Sequence, residues 1–160
     1  TYLAQSVRQR AQGVEVETVP GITAMQDLAA RSGTVLTEGT ESLTLLPLTG
    51  GAGGLRAALA TGDTVVAYKF GRVADEVLAA VADAGRLGDA VYGARTGLPD
   101  EDVRPAAGLT GPVPYLSTLI VPGHRTSLGG KLTAREPMTE RCEGIEGASP
   151  GGGSSTGEGA

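Results

Sequence analysis

The chain has 160 residues, with 13 Lys and Arg against 18 Asp and Glu, one His and one Cys. This length suits one domain with a tail, and a net charge of -5 opposes nucleic-acid binding, which normally needs a basic face. A single Cys excludes a disulfide framework within the chain and a Cys-cluster metal site and fits a reducing, cytoplasmic setting; no apolar run reaches the roughly 18 residues of a membrane span, and no signal-peptide pattern opens the chain.

The first residue is Thr, and residues 2–12 read directly as a helix with Leu3 and Val7 on one side. Gly13 stops it. Residues 14–19 (VEVETV) alternate and predict a short strand. Pro20-Gly21 breaks that strand, and residues 22–31 predict a second helix, ended by Gly33. Residues 43–48 form an apolar strand. A Gly-rich loop at 50–54 and a short helix at 55–60 follow. Residues 64–68 (TVVAY) read as a buried strand, 74–84 as an Ala- and Val-rich helix closed by Gly85, and 89–94 as a strand. Further strands are expected at 103–109 and 115–121. Strands separated by helices of this length predict an α/β domain, a layered mixed sheet flanked by helices. Residues 126–160 cluster almost no apolar side chains and end in GGGSSTG. They read as a flexible tail or linker, because too little apolar surface is available to offset ordering entropy.

Few residue types here announce a reaction. His124 follows the last strand and reads as a solvated residue, since a general base needs a partner carboxylate that spacing does not locate. Cys142 lies in the tail, with nothing evident to lower its pKa. No His/Cys/Asp spacing supports a metal. The Gly50–Gly54 loop precedes a helix, yet it lacks the Lys-Ser/Thr pair of a phosphate loop and reads as a connector.

Three bends carry more information. Pro20-Gly21-Ile22-Thr23-Ala24 opens a helix, where amide N–H groups lack partners and a small residue lets a flat ligand lie on the backbone. A plain turn with a Thr cap is the other reading. Tyr68-Lys69-Phe70-Gly71-Arg72 ends the best parallel-strand candidate, and ligands of open α/β sheets gather beyond the carboxyl ends of strands. Tyr92-Gly93-Ala94-Arg95-Thr96 ends another strand in the same way. Finally, residues 114–121 (PYLSTLIV) place Ser117 and Thr118 in an apolar strand, where they need backbone or ligand partners.

Taken in order, these segments resemble the C-terminal part of the tetrapyrrole methylase family over residues 1–124. The Pro-Gly-Ile-Thr-Ala turn carries the likeness to the family. Lys69-Phe70-Gly71-Arg72 and Pro114-Tyr115-Leu116-Ser117 carry a likeness to its branch that methylates C20 of precorrin-2. The resemblance implies an interdomain helix at 1–12, a C-terminal α/β domain at 13–125 and a homodimer. It also implies S-adenosyl-L-methionine as methyl donor, a tetrapyrrole substrate, a role in cobalamin biosynthesis and no metal. Carried over, Pro20, Gly21, Thr23 and Ala24 match the turn against the donor's adenosyl group. Phe70 and Gly71 match the strand end whose backbone meets adenine, and Ala94 and Thr118 match two further backbone contacts. Many relatives carry Met or Leu where Phe70 stands. Precorrin-2 bears many carboxylates, so an acidic chain needs local cations, and Lys69, Arg72 and Arg95 are expected to supply them. The family's Gly-Pro-Gly-Asp and Gly-Asp-Pro loops of the N-terminal domain are absent from these residues. The expectation is a chain that begins inside the family's pattern and is not a competent enzyme without a partner domain.

Overall fold

Apolar runs near the middle of the chain become a five-stranded sheet: β1 (Leu43–Pro47), β2 (Thr64–Tyr68), β3 (Val91–Ala94), β4 (Asp102–Pro105) and β5 (Ser117–Val121), in the spatial order β1-β2-β5-β3-β4. The computed structural model of the chain describes residues 2–125. The expected tail at 126–160, with Cys142, lies outside the described residues. Strands β1 and β2 are parallel, whereas β5 runs antiparallel to both β2 and β3, and β4 is antiparallel to β3. The carboxyl ends of β1, β2 and β3 therefore share one edge of the sheet with the amino end of β5.

Strand periodicity assigns the two faces. Val65 and Ala67 of β2, Tyr92 and Ala94 of β3, and Leu119 and Val121 of β5 face one way. They pack with Leu55 and Leu59 of α3 (Gly53–Leu59) and with Val77 and Val81 of α4 (Ala74–Asp83). The alternate residues Val66 and Ile120 face the other way, onto Leu28 and Ala29 of α2 (Ala24–Ser32). Helix α2 is defined at both ends. Thr23 and Gln26 form a reciprocal capping box, and Gly33 closes the helix at φ 67°. Gly93 is set by this packing: a Cβ there would lie 2.6 Å from Leu28 Cδ1.

Two expectations are corrected. Residues 14–19 do not form a strand. The sheet ends at β1 and β4, no strand lies alongside this segment, and Val14 and Val19 are exposed; alternation supplies a face but not a ladder partner. The strand expected over 103–109 is shorter, because Pro105 ends β4 and Ala106–Gly108 turns as a 3-10 helix. Helix α1 (Tyr2–Arg10) forms as expected but buries no residue among those described.

The Gly-rich stretch expected as a loop over 50–54 is shorter: residues 50–52 connect β1 to α3, and Gly53 and Gly54 form the first turn of that helix. Glu76 at the start of α4 accepts from the Ala52 amide at 3.2 Å, so an internal carboxylate occupies the site an anion would use.

A buried ion pair ties the chain leaving β5 to the loop before β1. Arg125 donates from Nη2 to Glu41 Oε2 at 2.6 Å and from Nε to Oε1 at 2.9 Å, and from Nη1 to the Val35 carbonyl at 3.0 Å. The Glu41 side chain is fully covered. The Arg125 guanidinium holds the Glu41 carboxyl below its usual value of 4.5, against the opposing effect of burial. A depressed carboxylate stabilises the fold above its unfolded pKa and loses that contribution as pH falls through the folded value. Glu41→Gln is therefore expected to lower stability by about 2–3 kcal/mol at pH 7. The gap should narrow as pH falls below about 5 and on through the depressed folded value. Urea midpoints of both proteins across that range check it; a gap independent of pH would refute the assignment.

Candidate functional site

At the sheet edge where three strands end, the chain must turn sharply, and two turns do so at a conformational cost. Lys69 follows β2 at φ 57° and Arg95 follows β3 at φ 51°; they are the only non-glycine residues at positive φ among those described. Non-glycine residues rarely adopt this region, and holding them there costs of the order of 1 kcal/mol or more each. Both line one groove of about 260 Å³, together with Ala24, Gly93, Tyr115, Ser117 and Thr118.

The groove is built from the three bends and β5. Ala24 is the first residue of α2 and presents that helix's amino end. Tyr68, also in the lining, packs beneath it. Burial raises the Tyr68 phenol above its ordinary value, opposed by a hydrogen bond from the Met25 amide. The phenol thus stays protonated at neutral pH. Gly93 gives a floor without a side chain. Ser117 is held from behind, donating to the Pro114 carbonyl at 2.6 Å and meeting the Tyr92 hydroxyl at 3.2 Å. Thr118 differs. It is only 4% exposed, and its hydroxyl has no partner among the described residues. The hydroxyl is not a buried orphan, since Arg86 Nε is the one such side-chain atom among the described residues; Thr118 lines the groove, where a ligand atom can reach its hydroxyl.

The sequence-selected residues divide. Ala24, Lys69, Arg95 and Thr118 meet in this groove. Thr23 stands beside it and caps α2. Pro20 and Gly21 are exposed and do not line it. Ala94 is buried in the opposite face of the sheet, and its neighbours Gly93 and Arg95 line the groove instead. Phe70 is wholly buried, edge-on to Tyr92 with ring centroids 6.4 Å apart; its carbonyl accepts from the Val73 amide at 2.8 Å. Gly71 and Arg72 line a second groove, of about 510 Å³, that adjoins the first at Lys69 and Tyr115. Arg95 is already engaged, with Nε 2.7 Å from Asp100 Oδ2. Thr118 sits in the central strand, in register with both Tyr68 and Gly93. Its main-chain groups serve the ladder, so its hydroxyl is what remains for a ligand.

Sequence reasoning did not select Gly93, Tyr115 or Leu116 as groove residues. A glycine inside an apolar strand is a sign of close approach and could have flagged Gly93. Nothing in residue type distinguished Tyr115, which is 70% exposed. His124 lies at the far edge of the sheet, its amide donating to the Gly62 carbonyl at 2.9 Å.

A family model, Tetrapyrrole (Corrin/Porphyrin) Methylases, matches residues 1–108. The chain belongs to this family. The chain is 38% identical over 108 residues to the cobalamin biosynthesis protein CobIJ of Mycobacterium tuberculosis, covering 67% of this chain and 21% of that protein. It is 35% identical over 109 residues to the precorrin-2 C(20)-methyltransferase of a Sinorhizobium species, covering 68% of this chain and 44% of the relative. The chain thus spans about a fifth to less than half of these curated relatives. Among solved structures, cobalt precorrin-4 methyltransferase CbiF shares the fold with a TM-score of 0.55 at 19% identity, over 75% of this chain and 57% of that one. The α/β architecture expected from the residues is therefore that of the family's solved members.

Proposed function

We propose that this domain supplies one wall of the methyl-donor site of an S-adenosyl-L-methionine-dependent methyltransferase acting on C20 of precorrin-2 in cobalamin biosynthesis. The observation that carries the donor site is the convergence of Ala24, Lys69, Gly93 and Thr118 on one groove, with the Thr118 hydroxyl unpaired. The choice of C20 rests on the likeness to the Sinorhizobium enzyme. The second reading is methylation of another precorrin position, favoured by the shared fold with the precorrin-4 enzyme. A homodimer and an N-terminal partner domain that closes the groove belong to the same proposal.

The groove suits a nucleoside that carries a positively charged sulfur. Its floor at Gly93 lets a flat ring approach the backbone, and with the Met25 and Gln26 amides already engaged, the Ala24 amide is what the amino end of α2 leaves for a ring or ribose acceptor. When bound, the donor supplies an electrophilic methyl group for displacement by an electron-rich carbon. The chain's own part is positioning and water exclusion. Lys69 and Arg95 fix the two turns that shape the rim, Thr118 gives a hydrogen bond that sets register, and Tyr68, kept neutral, adds no competing negative charge.

Titrating the 15N-labelled 160-residue chain with S-adenosylhomocysteine is the test. Amide shifts are expected at Ala24, Lys69, Gly93 and Thr118, with affinity weaker than micromolar because one wall acts alone. Thr118→Val should weaken it about threefold to tenfold. Shifts confined to another face would overturn the assignment, and micromolar affinity would refute the need for a second wall.

A further inference from the structure

Helix α2 gives the groove that holds Thr118 its Ala24 wall, and the turn between β3 and β4 gives it a rim at Arg95, Thr96 and Leu98. Strand β4 is the outermost of its side of the sheet, so this turn leaves an edge and needs holding by something other than a ladder. The chain turns twice there. The Leu98 amide donates to the Arg95 carbonyl at 3.0 Å, and the Glu101 amide to the Leu98 carbonyl at 3.1 Å. Gly97 takes φ 80° within the first turn, a position that favours glycine. Pro99 is the second residue of the second turn, where its fixed φ fits.

Side chains and main chain then fix this double turn. Arg95 Nε meets Asp100 Oδ2 at 2.7 Å, a contact internal to the turn. The Arg95 amide donates to the Leu116 carbonyl at 2.9 Å and ties the rim to the segment before β5. Glu101 does something different. Its Oε2 accepts from the Gly97 amide at 2.6 Å, and its Oε1 accepts from Arg31 Nη1 at 2.9 Å. Arg31 lies in the last turn of α2, and its Nε donates to Asp27 Oδ1 at 3.0 Å one turn earlier. The guanidinium is thus oriented on its own helix before Glu101 meets it. A half-exposed ion pair by itself contributes little. This carboxylate also takes a main-chain amide inside the turn, a charge-assisted bond that fixes where the turn sits.

We infer that Glu101 is a positioning residue of the donor groove: its carboxylate clamps the β3–β4 turn to α2 and so sets the Thr96–Leu98 rim relative to the Ala24 wall. This rests on the donor-site reading above and adds to it a side chain outside the groove lining. A rim already held in place need not be ordered when the nucleoside binds, and that saving appears as affinity.

Titration of the 15N-labelled chain with S-adenosylhomocysteine tests the clamp. Glu101→Gln keeps a carbonyl for the Gly97 amide but loses the charge that holds Arg31. It is expected to weaken binding roughly fivefold, as the ordering of a loosened rim implies, and to displace the Thr96 and Leu98 amide resonances without ligand. Arg31→Met should do the same, and Arg31→Lys should regain part of the loss. The double variant Arg31→Met/Glu101→Gln should lose no more than either single one, since both break one contact. Arg56→Met removes a pair of similar length, with Asp83, on the other face of the sheet, and should leave binding unchanged. Melting temperatures of all these variants are expected to stay close to that of the unaltered chain. The inference is overturned if Glu101→Gln leaves the affinity intact, if the two single losses add, or if affinity falls only in step with the melting temperature. Absence of ligand shifts at Ala24, Gly93 and Thr118 in the unaltered chain would instead strike the donor site. The Thr96 and Leu98 resonances of ligand-free Glu101→Gln would then decide the clamp alone, and their staying in place would overturn it.

Discussion

Replacing Arg86 with leucine is expected to lower the unfolding free energy by about 3–5 kcal/mol. Arg86 follows Gly85 just beyond α4 and is 7% exposed. Its guanidinium donates to the carbonyls of Asp63 at 2.7 Å, Pro122 at 2.5 Å, Leu59 at 3.3 Å and Val121 at 3.4 Å. One side chain thereby joins the end of α3, the entry to β2 and the exit of β5. Burial pulls its pKa down, opposed by Asp63 and Asp89, but arginine stays charged throughout the accessible pH range. Leucine fills part of the space and removes these contacts; the Leu59 carbonyl keeps the Gly62 amide, and each buried carbonyl left short of a donor costs about 1–3 kcal/mol. Lysine should rescue little, because a point charge on a flexible stem cannot fork to four acceptors. Thermal unfolding is expected to shift downward by roughly 10–20 °C. A shift below a few degrees would show that water reaches these carbonyls and that the clamp is dispensable. Arg86 Nε lacks a partner, so the clamp is incomplete, and this sets the expected loss below what four full bonds would give.

Nothing in the sequence identified that clamp. An arginine after a helix-ending glycine reads as a solvated charge, and only the meeting of three elements far apart in the chain makes it structural. The elements themselves were largely legible. Strands Thr64–Tyr68 and Ser117–Val121 contain the apolar runs Val65–Tyr68 and Leu119–Val121 because both their faces are covered, and burial of that kind marks central strands. Thr23 and Gly33 bracket α2 by local chemistry that needs no tertiary partner. The failure at residues 14–19 has the opposite cause. A strand is defined by its neighbour, and alternation of valine with glutamate and threonine says nothing about whether a neighbour exists.

The candidate site was legible to the level of a bend and not of a side chain. Pattern placed ligand contacts at the ends of β2 and β3, which the shared edge of the sheet explains. It could not decide which residue of each bend faces the groove. The period of a strand is two, so a slip of one residue exchanges groove for core. That is why Lys69 lines the groove while Phe70 is buried, and why Gly93 and Arg95 face it while Ala94 does not. The charges of Lys69, Arg72 and Arg95 looked equivalent in sequence. Only the pairing of Arg95 with Asp100 separates them.

Gly71→Ala is expected to disturb both grooves at once, and to cost about 1–3 kcal/mol in stability. A Cβ on Gly71 would lie 2.5 Å from the Val113 carbonyl oxygen and 3.4 Å from that of Pro114. Those atoms belong to main chain, so no rotamer change relieves the overlap; residues 112–116 must move as a segment. That segment carries Pro112 and Val113 of the second groove and Tyr115 of both, and Pro114 holds the Ser117 hydroxyl. Displacement of Tyr115 should therefore weaken S-adenosylhomocysteine by about tenfold or more, as misplacement of positioning groups by an ångström does. Amide shifts in Gly71→Ala are expected to spread through residues 112–117 even without ligand. If the variant kept its S-adenosylhomocysteine affinity and the shifts stayed local to Gly71, the 112–116 segment would be shown to yield freely, and it could not be the wall that shapes the donor groove.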